Sequence, residues 1–236
     1  MTSIAFRNVE LFDGLGGEPF ITDVGVKAGR IDCIGQVSTA QVEIEGEGYV
    51  LSPGFIDTHA HDDGALIRHP GMEFKLQQGV TSVVSGNCGF SAIPSSPDVD
   101  QSAASGGILA CLKGDFVDLE GYFATVLSKD PSINNMMLVG HNTVRSMVLG
   151  DAKRAPTSSE LAIMRDHIRL ALEQGCCGFS SGLIYRPGRY SDTEEVVELA
   201  KVAGEFDALY TTHMRNEGDK LLEAVDEALL LSLIHI

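Results

Sequence analysis

Beyond Pro53 the chain repeats one pattern: a short apolar run, a polar loop with glycine, then a segment whose apolar residues recur every three or four positions. This rhythm constrains the fold more than any other feature, because strands alternating with helices of that length pair in parallel and are covered by their crossover helices. It predicts strands at about 52–58, 80–86, 136–141, 176–182 and 208–213, with helices at 69–78, 158–174, 193–205 and 217–231. Helix 158–174 carries its own boundary signals. Thr157 precedes it with Glu160 three residues on, which makes a capping box, and Gly175 follows as a stop. Five such units in series fit either an open doubly wound sheet or an incomplete (β/α)8 barrel. A whole barrel needs about 250 residues, more than remain after the first 52, so a barrel here would stop early.

Residues 1–52 follow a different rule. "SIAFRNVELFDG" and "DVGVKAGRIDCIG" alternate apolar and polar positions, and Gly14, Gly16, Gly17, Gly29 and Gly35 supply turns, so a small all-β unit is expected. Segment 91–117, rich in Ser, Pro and Gly, is expected to be a long loop over one face of the sheet. Nothing in the sequence divides residues 53–236 into two domains.

Composition narrows the function. A net charge of −16 and a pI near 4.7 argue against nucleic-acid or anionic-membrane partners, which need clustered Lys and Arg. The amino terminus lacks a basic stretch followed by an apolar one, and no run approaches the ~18 apolar residues of a membrane span. Cys33, Cys88, Cys111, Cys176 and Cys177 form an odd, unpatterned set in which Cys176 and Cys177 would point to opposite faces of a strand, so disulfides are not expected. A reducing cytoplasm suits them.

The first predicted strand runs into "PGFIDTHAHDD", where Asp57, His59 and His61 share a face if the strand continues. HxH alone leaves open a metal site or two hydrogen-bonded histidines at a buried strand end. Cys88 follows the second strand in "VTSVVSGNCGF", between glycines that permit a tight turn, and a thiolate there is a soft donor suited to zinc. His213 ends the fifth strand in "ALYTTHMRNEGD". All four candidates sit at carboxyl ends of strands, where barrel active sites are built. His141 also ends a strand and is assigned a structural or hydrogen-bonding role; His69, His167 and His235 are assigned to solvent or packing.

Together, "PGFIDTHAHDD", "GVTSVVSGNCGFSAIP", "GHNTVRSMVLG", "RAPTSSELAIMRDHIRLALEQGCCGFSSGLIYRPGRY" and "THMRNEGDKLLEAVDEAL" make the chain similar to the D-aminoacylases, the N-acyl-D-amino-acid deacylases of the amidohydrolase superfamily, from near the start to about Leu230. The resemblance implies a (β/α)8 TIM-type barrel beside a small β-sandwich begun by residues 1–52 and completed by carboxyl-terminal sequence. It implies one or two zinc ions held by His59, His61, Cys88, His213 and a further histidine after the sixth strand. It also implies hydrolysis of the acyl amide of small N-acyl-D-amino acids, with an aspartate of the eighth strand as general base, expected beyond residue 236. The fourth strand, "GCCGFSSGLIY", has no lysine, which agrees with the deacylases and counts against a hydantoinase-like or dihydroorotase-like site. Tyr185 and Arg215 are the expected substrate-binding residues, with Arg186 and Arg189 as further candidate cations for a substrate carboxylate.

The pattern departs from the family near Leu230, where "LLSLIHI" is apolar at nearly every position. The expectation is a coding sequence cut short after about five βα units, ending in non-native residues, with a product that is inactive or poorly folded. Two other readings stay open: another amidohydrolase reaction, such as cyclic amide or dipeptide hydrolysis, and a non-catalytic scaffold relative.

Overall fold

The computed structural model describes residues 2–96 and 116–233. The chain divides into two compact units, Met1–Gly54 and Phe55–Ile236. In the first, β1 (Thr2–Leu11) is central, antiparallel to β2 (Phe20–Lys27) and parallel to β4 (Ala40–Glu45) and β5 (Val50–Leu51); β3 (Arg30–Ile34) pairs antiparallel with β2. Ala28 and Gly29 both take positive φ, which a two-residue hairpin between β2 and β3 requires. Val9, Leu11 and Val24 are buried together while Ile21, Ile31 and Val42 are exposed, and among the described residues this unit is one mixed sheet.

The second unit is built on a parallel sheet in the order β6 (Phe55–Asp57), β7 (Val80–Ser85), β8 (Asn134–Gly140), β9 (Gly178–Gly182) and β10 (Leu209–His213). Its helices are α1 (Ala65–Arg68), α2 (Glu73–Leu76), α3 (Leu119–Leu127), α4 (His141–Leu149), α5 (Ser158–Glu173), α6 (Thr193–Glu205) and α7 (Leu221–Leu233). The Thr157–Glu160 capping box is present at the start of α5, and the helix buries Met164, Ile168, Ala171 and Leu172. These join Val196, Leu199, Ala200 and Ala203 of α6 in one core with Met137, Val139 and Phe179 of the sheet.

Several expectations need correction. The first strand is shorter than 52–58, running only from Phe55 to Asp57. The helix expected at 69–78 shrinks to one turn, α2, because Pro70 and the left-handed Met72 (φ 44°) precede it; the single turn α1 ends before it, at Arg68. Helices α3 and α4 were not anticipated. The first six residues of α4, His141 to Ser146, are all buried, so no apolar stripe of helical period marks it. Cys176 and Cys177 precede β9 rather than lying within it. The loop expected at 91–117 falls mostly on residues outside those described, as do Cys111 and His235; the four described cysteines are free.

His141, Arg145 and Glu195 are wholly buried together. His141 Nε2 lies 2.8 Å from Glu195 Oε1, and Arg145 pairs with Oε2 while also donating to the carbonyls of Ala152 and Arg154. Burial alone would raise the carboxyl pKa of Glu195, but the bond to His141 and the pairing with Arg145 hold it below the ordinary value. Removing one partner of a buried pair typically costs about 3–5 kcal/mol. Glu195→Gln should therefore lose about that much stability in urea unfolding at neutral pH. A folded-state pKa lower than the unfolded one stabilises above the unfolded value of about 4.5, so the wild-type advantage should shrink as pH falls below it.

Candidate metal centre

The site is built on the carboxyl edge of the parallel sheet. His59 and His61 lie in the bend after β6, not on a strand face shared with Asp57. Asp57 is engaged elsewhere: its Oδ1 accepts the His59 N–H at 3.1 Å and its Oδ2 lies 2.5 Å from Lys75 Nζ, which is also 3.0 Å from Asp62. The N–H of Ala60, between the two histidines, donates to the Val84 carbonyl of β7 at 3.0 Å. That bond holds the imidazoles edge to face, with ring centroids 5.6 Å apart.

Cys88 sits in a turn after β7 that few sequences could make. Gly86 and Gly89 have φ of 78°, and Cys88 itself takes φ 55°, uncommon for a residue with a side chain. A Cβ on Gly86 would lie 2.0 Å from the Leu138 carbonyl oxygen, and one on Gly182 would lie 2.0 Å from that of Cys88. The Ser180 hydroxyl donates to Gly86 O at 2.5 Å and accepts the Gly89 N–H at 3.0 Å, closing the turn from β9. Thr143, in the first turn of α4, donates its N–H to Gly89 O.

These segments bring three sequence-predicted ligands together. The donor atoms of His59, His61 and Cys88 all lie within 4.8 Å of one another, with His59 Nε2 only 3.2 Å from Cys88 Sγ. His213, at the end of β10, places Nδ1 3.6 Å from the same sulfur, while its Nε2 faces Glu217 at 3.1 Å. His61 Nδ1 is buried without a hydrogen-bond partner among the described residues. Burial, helped by the facing His59, lowers the His61 pKa and favours the neutral imidazole that can act as a ligand; burial raises the Cys88 thiol, so the sulfur needs a cation to become a thiolate. Imidazoles around one cysteine are a donor set suited to zinc, and the residues present fit it.

The expected substrate residues separate. Tyr185 reaches the cluster: its hydroxyl is 3.2 Å from His213 Nδ1, and its ring packs against those of His213 and Phe90. Burial, reinforced by Cys88 and Glu217, raises its pKa, so it stays a neutral donor. Arg215 is held by Glu227 through two contacts of 2.8 Å. It lines a cavity of about 560 Å³ with Arg189, Thr193 and Lys220, and none of the four clustered residues lines that cavity. Arg186 is exposed.

No protein-family model matches the chain. Over 224 residues it is 42% identical to an N-acyl-D-glutamate deacylase of Alcaligenes xylosoxydans xylosoxydans, an alignment that spans 93% of this chain and 45% of that protein. Among solved structures, an N-acyl-D-glutamate deacylase of Bordetella bronchiseptica, complexed with zinc and a phosphonate mimic of the tetrahedral intermediate, superposes with a TM-score of 0.91 at 38% identity, covering 98% of this chain and 49% of that one. A D-aminoacylase described as defining a novel subset of amidohydrolases gives 0.92 at 33% identity, covering 100% and 50%. The chain is a homologue of the D-aminoacylases. It spans about half the length of the relatives it matches, and its parallel sheet with crossover helices is that of the amidohydrolase α/β barrel.

Two residues around this site were not singled out from sequence. Ser180 was hidden in an apolar strand, although a serine facing a glycine turn is a hydrogen-bond signal. Asn87 stands in the GNCG stretch itself, where its only mark is its place between glycine and the candidate ligand. If the turn has no room for a Cβ on the adjoining strand, Gly182→Ala should cost about 1–3 kcal/mol and displace Cys88. Thermal unfolding together with the rate of Cys88 alkylation would check this; unchanged values for both would contradict the close approach.

Proposed function

We propose that the protein is a zinc-dependent deacylase that hydrolyses the amide bond of N-acyl-D-amino acids to the D-amino acid and a carboxylic acid, with His59, His61, Cys88 and His213 as ligands to one or two ions. The observation that carries this reading is the convergence of His59, His61 and Cys88 donors within 4.8 Å, with His213 beside the same sulfur. It is supported by the naming of the relatives and by the zinc in the Bordetella enzyme. Bound zinc would supply a Lewis acid that polarises the acyl carbonyl and lowers the pKa of water towards about 7.

The chain's own groups would bind the substrate and stabilise the charge that develops on it. Tyr185 can turn its neutral hydroxyl from His213 towards the oxygen that gains charge at the acyl carbon. Arg215, Arg189 and Lys220 line the neighbouring cavity and would hold the substrate carboxylate against the field of a chain carrying −16. The carboxylates flanking the histidine pair are committed elsewhere: Asp57 and Asp62 pair with Lys75, and Asp63 is buried, accepting the Ala92 N–H. We place the enzyme in the cytoplasm, where its thiols stay reduced; among the described residues no helix is long and apolar enough to cross a membrane.

Turnover of N-acetyl-D-glutamate, N-acetyl-D-aspartate and apolar N-acetyl-D-amino acids, each beside its L-isomer, tests the reaction. D-selective hydrolysis that chelation removes and zinc restores is expected. Cys88→Ala should abolish both zinc retention and turnover while leaving the fold intact by circular dichroism. Hydrolysis of L-isomers, or full activity in Cys88→Ala, would contradict the reading.

A further inference from the structure

Asn87 is 1% exposed and makes no contact with the outside, yet its side chain touches three of the segments that carry the proposed ligands. Its Nδ2 donates to the Val84 carbonyl of β7 at 2.9 Å and to the Thr58 carbonyl, one residue before His59, at 3.3 Å. Its Oδ1 accepts the hydroxyl of Thr211, two residues before His213 on β10, at 3.4 Å. The residue after it is Cys88. The Val84 carbonyl that takes one Asn87 bond also takes the N–H of Ala60, between His59 and His61. A carbonyl has two acceptor sites, and here one ties down the histidine pair while the other ties down the cysteine turn.

From this geometry we propose that Asn87 is a positioning residue for the metal centre, its amide fixing the ends of β6, β7 and β10 relative to one another so that His59, Cys88 and His213 meet at one point. The inference rests on the proposed metal site and deepens it. The chemistry is particular to an amide. An aspartate would turn two donations into repulsion between a carboxylate and two carbonyl oxygens, and an aliphatic residue would leave both the Val84 and Thr58 carbonyls one partner short. Nothing in a plain packing role requires both donors and the acceptor to point to different strands. Groups that orient metal ligands typically govern metal affinity by 10–100-fold.

The test compares the wild-type protein with Asn87→Ala, with Thr211→Val and Thr211→Ser, and with Ile168→Val as a core substitution far from the site. Zinc dissociation constants come from competition with a chromophoric chelator. Cobalt(II) loading gives the thiolate-to-cobalt charge-transfer band in the near ultraviolet, which reports whether Cys88 remains a ligand. Asn87→Ala should weaken zinc roughly 10–100-fold and diminish the cobalt band. Thr211→Val should weaken zinc by less and leave the band, Thr211→Ser should restore wild-type affinity, and Ile168→Val should lower the unfolding temperature without touching either readout. If Asn87→Ala does not fold, the Thr211 pair decides, since it removes and restores one arm of the same amide. Wild-type affinity and an intact band in folded Asn87→Ala, or equal affinities in the two Thr211 variants when Asn87→Ala is unfolded, would overturn the inference and leave the metal site standing. Absence of any thiolate–cobalt band in the wild-type protein would overturn the metal site and this inference with it.

Discussion

The site depends on room for one turn. Residues 86–89 leave β7, fold back through left-handed backbone, and pass so close to β8 and β9 that a single methyl group on Gly86 or Gly182 would lie 2.0 Å from a carbonyl oxygen. Placing Cys88 at positive φ costs local conformational energy of order 1 kcal/mol or more. What holds it there is a set of buried hydrogen bonds from neighbouring strands and from α4: Ser180 across the two ends of the turn, Asn87 to Val84 and Thr58, and Thr143 to Gly89. Buried polar groups are tolerated only when satisfied, so the polar packing under this edge is also what makes the sulfur's direction well defined.

The scaffold behind the turn is conventional in its physics. Helices α5 and α6 bury apolar faces against the sheet, and the parallel strands deliver four chemically active residues to one edge because every strand's carboxyl end lies on the same side. Two arrangements of charge are worth separating. His141, Arg145 and Glu195 form a fully buried group of opposite charges that fastens α4 to α6, whereas His59, His61, Cys88 and His213 bring imidazole nitrogens around one sulfur, with no carboxylate among the four. The first carries its own counter-charge; the second suits a cation.

Much of this was legible in the sequence, and the reasons differ by residue. Helices α5 and α6 announced themselves through apolar period and the Thr157–Glu160 cap, because they bury one face, and the parallel sheet through short apolar runs whose residues are buried on both faces, as at the end of β8. Helix α4 did not, since its first six residues are all buried and four of them, His141, Asn142, Thr143 and Arg145, use polar side chains for hydrogen bonds inside the protein. The shortening of helix 69–78 to α2 was written in Pro70 but masked by the apolar residues around it. The proximity of His59, His61, Cys88 and His213 could be expected from strand ends, but the manner could not: the histidines lie beyond β6, Asp57 is withdrawn by Lys75, and Arg215 is clasped by Glu227. Such contacts join residues far apart in sequence, and no local pattern encodes them.

The account's central claim is that one sulfur and several imidazoles share a metal ion at the carboxyl edge of the sheet. X-ray absorption at the zinc edge of the metal-loaded protein tests it most directly. One sulfur scatterer at about 2.3 Å with nitrogen scatterers at about 2.0–2.1 Å is the predicted first shell. A shell of nitrogen and oxygen alone, with no sulfur, would contradict it.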